Sequence, residues 1–164
     1  MKYVLGMTAA LALSLMAVPA ASAEPGFATV NLTKVSGWTG PEGGYWYTRG
    51  MPNARQKFAV DIRNVAGHGE QGLSLFLSFP TDRLDVTGYA GDGWDCWDVN
   101  EGVGAEGIRC TQDQAVADQQ AWPKLTVETK AFSIWTQETI DAYAEAGGHA
   151  EVHAEQWFVI DTST

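Results

Sequence analysis

The feature that most constrains the fold is a succession of short segments in which apolar and polar residues alternate, each ended by glycine or proline. In segment 57–64, Phe58, Val60 and Ile62 would share one face. A second segment has the same pattern, with Leu73, Leu75, Leu77 and Phe79 alternating with Ser74, Phe76 and Ser78. A period of two is typical of strands with one buried face, so the chain is predicted to be all-β.

Further strands are predicted at 28–34, 44–49, 84–89, 94–97, 108–111, 124–130, 150–155 and 157–160, with a glycine-rich turn over 36–44. Region 136–148 fits two structures. A helix would begin at Thr136 and end at Gly147, whereas a strand would place Ile140, Ala142 and Ala144 on one face. We favour the strand because its neighbours are strands. Such a number of short strands in one chain predicts an antiparallel sandwich.

The N-terminus has the pattern of a secretory signal peptide. Lys2 precedes an apolar run at 4–18, Pro19 interrupts it, and Ala21 and Ala23 give the small-residue cleavage pattern. A membrane anchor is the alternative, but the run is short for a bilayer, which needs about 20 residues. We therefore predict a signal peptide at 1–23, one domain at 24–164, and a secreted, extracellular protein.

The charge of the chain limits its partners. The formal net charge is −10, and loss of Lys2 with the signal peptide makes it −11. Nucleic acids and anionic membranes bind basic surfaces, so both are excluded as predicted partners. No second membrane-length apolar run follows the first, and no cofactor is predicted.

Both cysteines, Cys96 and Cys110, lie in the stretch 91–111. Two cysteines in a secreted chain predict one disulfide, here between adjacent strands. Closing a loop of this length contributes about 3 kcal/mol in the chain-entropy account. The same stretch carries an acidic run, Asp92, Asp95, Asp98 and Glu101, for which we favour a solvated loop over a calcium site, because the spacing of three differs from that of a calcium-binding hand.

Two histidines invite comparison with a zinc protease, but His149-Ala-Glu-Val-His153 lacks the glutamate directly after the first histidine. On a strand, positions 149 and 153 would lie about 13 Å apart, too far for one zinc ion. We predict that both histidines face solvent beside Glu151 and Glu155, that Ala150, Val152 and Ala154 face the core, and that there is no metal site. No G-x-S-x-G nucleophile motif is present, so no catalytic residue is assigned.

Seven tryptophans are many for this length. On a strand, Trp94 would share the face of Cys96 and be buried against the disulfide, while Trp97 would share the opposite face with Asp95. Trp97 is then either covered by a loop or exposed as a stacking platform beside Asp95 and Asp98. These three residues are the candidate ligand-binding residues.

Several of these pieces occur together in one known family. A strand ending at Asn64, a strand closing at Phe79-Pro80, Gly93-Trp94-Asp95-Cys96, Cys110-Thr111 and Pro123-Lys-Leu-Thr-Val127 follow one another in order. With this order, the region 56–130 resembles the bacterial conserved-repeat domain of unknown function eleven. The resemblance implies an immunoglobulin-like β-sandwich in a secreted or surface protein, without catalytic residues.

The first functional hypothesis is a non-catalytic secreted module with an adhesive, structural or interaction role, which would not be an enzyme. The alternative is a carbohydrate-binding module that uses exposed tryptophans and acidic residues. A small secreted hydrolase is the third, and would need converging carboxylates in a cleft. The predicted partners are accordingly a cell-wall or surface glycan, or a protein.

Overall fold

A computed structural model describes residues 26–49, 54–100, 106–132 and 135–161. The predicted signal peptide, 1–23, lies outside the described residues. Within these ranges the chain forms strands alone: β1 Ala28–Ser36, β2 Thr39–Glu42, β3 Tyr45–Arg49, β4 Arg55–Asn64, β5 Leu73–Ser78, β6 Leu84–Ala90, β7 Trp94–Asn100, β8 Glu106–Gln112, β9 Leu125–Ala131, β10 Thr136–Glu145 and β11 Val152–Asp161. In this part of the chain no helix is long and apolar enough to cross a membrane.

The strands form two sheets. A four-stranded sheet has the order β1-β4-β9-β6, and a seven-stranded sheet has the order β2-β3-β11-β10-β5-β8-β7. Every pairing is antiparallel except that of β11 with β3, which is parallel. The predicted all-β sandwich is confirmed, with one parallel pair added to it.

The core lies between the two sheets, because alternate residues of the long strands point inward. In β5 and β9 buried residues alternate with half-buried ones along the whole strand. Fully buried side chains come from both sheets: Phe58, Ile62, Leu84 and Leu125 from the four-stranded sheet, and Leu73, Leu75, Leu77, Ile108, Ile140, Phe158 and Ile160 from the seven-stranded sheet. The period-two pattern of the sequence is therefore the pattern of burial.

At three places the observed strands decide between, or differ from, the elements predicted from the sequence. Region 136–145 is strand β10, as favoured over the helix. The predicted turn over 36–44 contains a short strand, β2, which pairs with β3 around the tight turn at Gly43. The runs at 150–155 and 157–160 are one strand, β11, which begins at Val152, so Ala150 is exposed in the connection before it rather than in the core.

The disulfide is confirmed. Cys96 on β7 lies directly opposite Cys110 on β8 in the strand register, and the two are bonded. Trp94 shares the inward face with Cys96 and packs against the core, but it is only half-buried, so its predicted burial is confirmed only in part. The reason is its position: β7 is the edge strand of its sheet, and the indole N–H of Trp94 donates to the carbonyl oxygen of Pro123 at 2.6 Å.

One glycine fixes how closely β8 approaches β5. Gly107 has φ +142, and a Cβ atom there would lie 1.9 Å from the carbonyl oxygen of Leu77. A side chain at this position would force the two strands apart. Gly107 therefore keeps the edge pair β7–β8 attached to the centre of the seven-stranded sheet.

Candidate functional site

The outward face of the seven-stranded sheet carries aromatic side chains where polar ones are usual. Five neighbouring strands contribute one residue each to a single cross-strand row: Trp97 (β7), Arg109 (β8), Phe76 (β5), Tyr143 (β10) and His153 (β11). Each is directly opposite the next in the strand register. We call these five residues the stacked row.

Planar groups stack on one another along most of this row. The Cζ atom of Arg109 lies 4.9 Å from the centre of the Phe76 ring. The rings of Phe76 and Tyr143 are stacked with centres 6.1 Å apart and 21° between planes, and those of Tyr143 and His153 with centres 4.6 Å apart and 16° between planes. Side chains opposite each other on adjacent strands are close enough for such contacts. The stack holds a flat surface in place across the sheet.

Carboxylates surround the row. The Nε2 atom of His153 lies 2.8 Å from Oδ1 of Asp141. Burial raises the pKa of the Tyr143 hydroxyl above 10.0, and the charges of Asp141, Glu151 and Glu155 raise it further. Glu145 and Glu151 also line a shallow depression of about 100 Å³ beside Phe76, Arg109 and Tyr143. Four carboxylates thus border this part of the face, those of Asp141, Glu145, Glu151 and Glu155.

A second aromatic group lies on the same outward face, toward the β3 side of the sheet, where Trp157 follows His153 by four residues along β11. The ring of Tyr45 on β3 meets that of Trp157 on β11 edge to face, with centres 5.9 Å apart, and lies 6.3 Å from the ring of Tyr47. Trp157 is 40% exposed. We call the stacked row together with Tyr45, Tyr47 and Trp157 the outer aromatic face.

The structure separates the three candidate ligand-binding residues. Trp97 is 44% exposed at the β7 end of the stacked row, and Asp95 is exposed on the same strand face. Asp98 instead lines a different depression, of about 180 Å³, together with Asp85 of the other sheet. Of the two alternatives for Trp97, the structure shows the exposed one; its role in ligand binding stays a prediction, as do those of Asp95 and Asp98.

Among its described members, the acidic run does not bring three donor atoms together. Asp92, Asp95 and Asp98 are exposed, and Glu101 lies outside the described residues. In the described ranges, the one set of three His, Cys, Asp or Glu side chains that brings its donor atoms within 4.8 Å of one another lies elsewhere, at His68, Glu70 and His149.

His149 is exposed to solvent, as predicted, but it does not lie on a strand beside Glu151, and that part of the prediction was wrong. It lies in the connection before β11, where its Nε2 atom is 2.8 Å from Oε1 of Glu70 and its ring stacks on Phe27 with centres 5.4 Å apart. His153, by contrast, is exposed on β11 and contacts Asp141 rather than a glutamate. The two histidines thus belong to different sites, as their predicted separation requires.

Sequence reasoning missed the stacked row and the partner of His149. One signal for the row was present: Phe76 occupies an outward position between Ser74 and Ser78, where a polar residue is expected. Glu70 and His149 are 79 residues apart, and no periodicity relates them.

No family model matches the sequence, so the resemblance to the conserved-repeat domain stays a prediction. No curated protein matches either. The fold is similar to that of a cohesin module from a family 33 glycoside hydrolase of Clostridium perfringens, with a TM-score of 0.58, 9% identity, and coverage of 85% of this chain and 100% of that one. Other similar structures include a non-cellulosomal cohesin from the archaeon Archaeoglobus fulgidus, with a TM-score of 0.48 and 16% identity, covering 71% of this chain and 85% of that one. Another is a cohesin–dockerin complex from Clostridium thermocellum, with a TM-score of 0.49 and 15% identity, covering 81% of this chain and 99% of that one.

Proposed function

We propose that this chain is a non-catalytic extracellular module that binds another protein through the outer aromatic face. The observation that carries the proposal is the stacked row, which places five planar or aromatic side chains in register on five neighbouring strands. The similarity in fold to a cohesin module supports a module of this kind. The signal-peptide pattern and the disulfide support an extracellular location.

The face is large enough for a protein partner. Seven strands at about 4.8 Å spacing span about 29 Å, and strands of four to ten residues extend about 13–33 Å in the other direction. The product, about 380–960 Å², brackets the area of about 800 Å² that each partner buries in an ordinary protein–protein interface. Aromatic residues and arginine, both present here, are the types enriched at the centres of such interfaces.

The orientation of the rings favours a protein over a sugar for the middle of the row. A sugar stacks on the exposed face of an aromatic ring. Tyr143 lies between the rings of Phe76 and His153, so its two faces are turned toward its neighbours. Side chains packed in this way present edges and a flat apolar surface, which suits packing against another protein surface.

The charge around the row indicates the chemistry of the partner. Asp141, Glu145, Glu151 and Glu155 border the stack, and the whole chain is acidic. Charge complementarity steers association and excludes partners of the wrong sign. We therefore expect a partner with an apolar centre rimmed by lysine or arginine, whose association slows as salt screens these charges.

The test uses the immobilised protein to isolate binding proteins from secreted and surface fractions of the producing cells. A purified binder is then titrated against the native chain and the double variant Phe76→Ser, Tyr143→Ser. We expect at least a 100-fold loss of affinity, because each substitution removes a ring from the centre of the contact.

The matched control is Thr33→Ala with Thr126→Ala, two positions on one cross-strand row of the opposite sheet. This variant should bind like the native chain. Equal affinity for the native chain and the Phe76/Tyr143 variant would place the contact elsewhere and refute the proposal.

A second candidate function rests on Trp97 alone. Trp97 lies at one end of the stacked row, is 44% exposed, and has the exposed Asp95 beside it. The indole of Trp97 can therefore present one face of its ring to a sugar. Binding of the native chain to a panel of cell-wall glycans, lost in a stably folded Trp97→Ala variant, would support this function. Absence of glycan binding by the native chain would exclude it for the glycans in the panel.

A further inference from the structure

The His68–Glu70–His149 cluster has the composition and geometry of a metal site, and we propose that it binds one zinc ion. Oε1 of Glu70 lies 3.0 Å from Nδ1 of His68 and 2.8 Å from Nε2 of His149. The two imidazole rings stack with centres 5.8 Å apart. Two imidazole nitrogens and one carboxylate oxygen are a common donor set for zinc, in which water or another ligand takes the fourth position.

The distances fit a site ready to accept the ion. Zinc with ligands at about 2.0–2.2 Å in a tetrahedral arrangement separates its donor atoms by about 3.3–3.5 Å. The three donor atoms here all lie within 4.8 Å of one another. Small side-chain rotations therefore bring them to the required separation, with the ion between the two nitrogens and the carboxylate.

The cluster is built on a fixed backbone. Glu70 exchanges two backbone hydrogen bonds with Val116, both at 2.9 Å. The amide of Asn64 donates to the carbonyl oxygen of His68 at 2.7 Å, and the backbone N–H of Gly67 donates to Asp118 at 3.1 Å. These contacts hold the connection between β4 and β5, so the site needs little reorganisation to bind the ion.

The surroundings bury the carboxylate and leave both histidines partly accessible. Glu70 is only 6% exposed, and the ring of Phe27 covers His149. A Cβ atom at Gly147, which has φ +56, would lie 2.6 Å from Oε2 of Glu70. Glycine at this position therefore leaves room for the carboxylate of Glu70. The side chain of His68 is 62% exposed, and the ion can enter from that side.

Zinc in this position would connect two segments that strands alone do not join. His68 and Glu70 belong to the connection between β4 and β5, and His149 belongs to the connection between β10 and β11. Any ligand that binds the folded state and not the unfolded chain stabilises the fold. The expected role of the zinc ion is therefore to stabilise this end of the sandwich by cross-linking the two connections.

The test titrates zinc into the full secreted chain, prepared without a histidine tag. We expect one equivalent to bind and the melting temperature to rise by about 5–10 °C at a hundredfold excess over the dissociation constant. Cobalt in place of zinc should give the visible absorption of a tetrahedral ion. In Glu70→Gln and His68→Ala, affinity should fall at least about 100-fold, because losing even a partner outside the coordination shell costs about 10–100-fold.

His153→Ala is the matched control, since His153 also contacts a carboxylate but lies outside the cluster. It should bind zinc like the native chain. The proposal is overturned if the native chain binds no zinc, which would leave a hydrogen-bonded triad only, or if Glu70→Gln and His68→Ala retain native affinity. His68→Ala, at an exposed position, keeps the test valid if Glu70→Gln does not fold.

Discussion

The two sheets of this sandwich have the same kind of inward face and very different outward faces. On the four-stranded sheet, outward positions carry Thr33, Asp61 and Glu128, and the charged ones form ion pairs, Lys57 with Glu128 and Lys124 with Asp61. On the seven-stranded sheet, the outward positions carry the stacked row. Both sheets fold on the same alternating pattern, so strand formation does not require the aromatic residues. In the described part of the chain, a row of stacked aromatic side chains occurs on the seven-stranded sheet only, and this favours another purpose for that face.

The largest expected effect concerns the buried core, to which both sheets contribute side chains. Phe158→Ala in the seven-stranded sheet and Leu125→Ala in the four-stranded sheet each remove a fully buried side chain. We expect the free energy of unfolding to fall by about 3–5 and about 2–5 kcal/mol, respectively. Chemical denaturation measures both. A loss below about 1 kcal/mol in only one sheet would show that the inward faces are not equivalent.

The next largest effect concerns the disulfide, which joins two strands of the seven-stranded sheet and has no counterpart in the other sheet. Replacing Cys96 and Cys110 together by alanine should cost about 3 kcal/mol, because the unfolded chain loses a closed loop. Since the bond joins β7 to β8, loss of hydrogen-exchange protection should concentrate at this edge, which carries Trp97. Unchanged stability, or equal loss of protection in β1, would contradict this account.

Substitutions on the two outward faces should have small effects on stability. Phe76→Ala is expected to cost about 1 kcal/mol, the size of a cross-strand aromatic contact. Lys57→Ala breaks an exposed ion pair and should cost about 0.5 kcal/mol or less. Thermal and denaturant unfolding of the two variants compare them directly. A cost of about 3 kcal/mol or more for Phe76→Ala would mean that the stacked row is structural.

The smallest effect is a pH dependence that Tyr143 on the outer aromatic face should produce. Because the folded chain holds the Tyr143 proton more tightly than the unfolded chain, its contribution to stability is complete below pH 10.0 and is lost as pH rises through the raised pKa. Stability should therefore fall above about pH 10, and less steeply in Tyr143→Phe. An identical fall in both proteins would assign the dependence to other groups.

Much of the fold follows from sequence because burial in a sheet has a period of two. That pattern predicted β4, β5 and β9 and favoured a strand at Thr136–Glu145. It could not predict the half-burial of Trp94, since the pattern within a strand does not show that β7 lies at an edge.

The candidate sites were less predictable, because they depend on which strands and connections lie next to one another. Phe76 and Tyr143 meet only because β5 pairs with β10 in one register, and Glu70 meets His149 only through the packing of two connections. The exposure of Trp97 was one of two alternatives in the sequence, because alternation along a strand places Trp97 on the face opposite Cys96. Contacts between distant segments depend on topology, which local patterns do not specify.

The most direct test of the central claim is a comparison of binding by variants of the two outward faces. A purified protein partner is titrated against the native chain, against Phe76→Ser with Tyr143→Ser, and against Thr33→Ala with Thr126→Ala, with folding of each checked by circular dichroism. We predict at least a 100-fold loss of affinity for the first double variant and native affinity for the second. Native affinity in the first, or loss in the second, would contradict the assignment of the outer aromatic face as the binding surface.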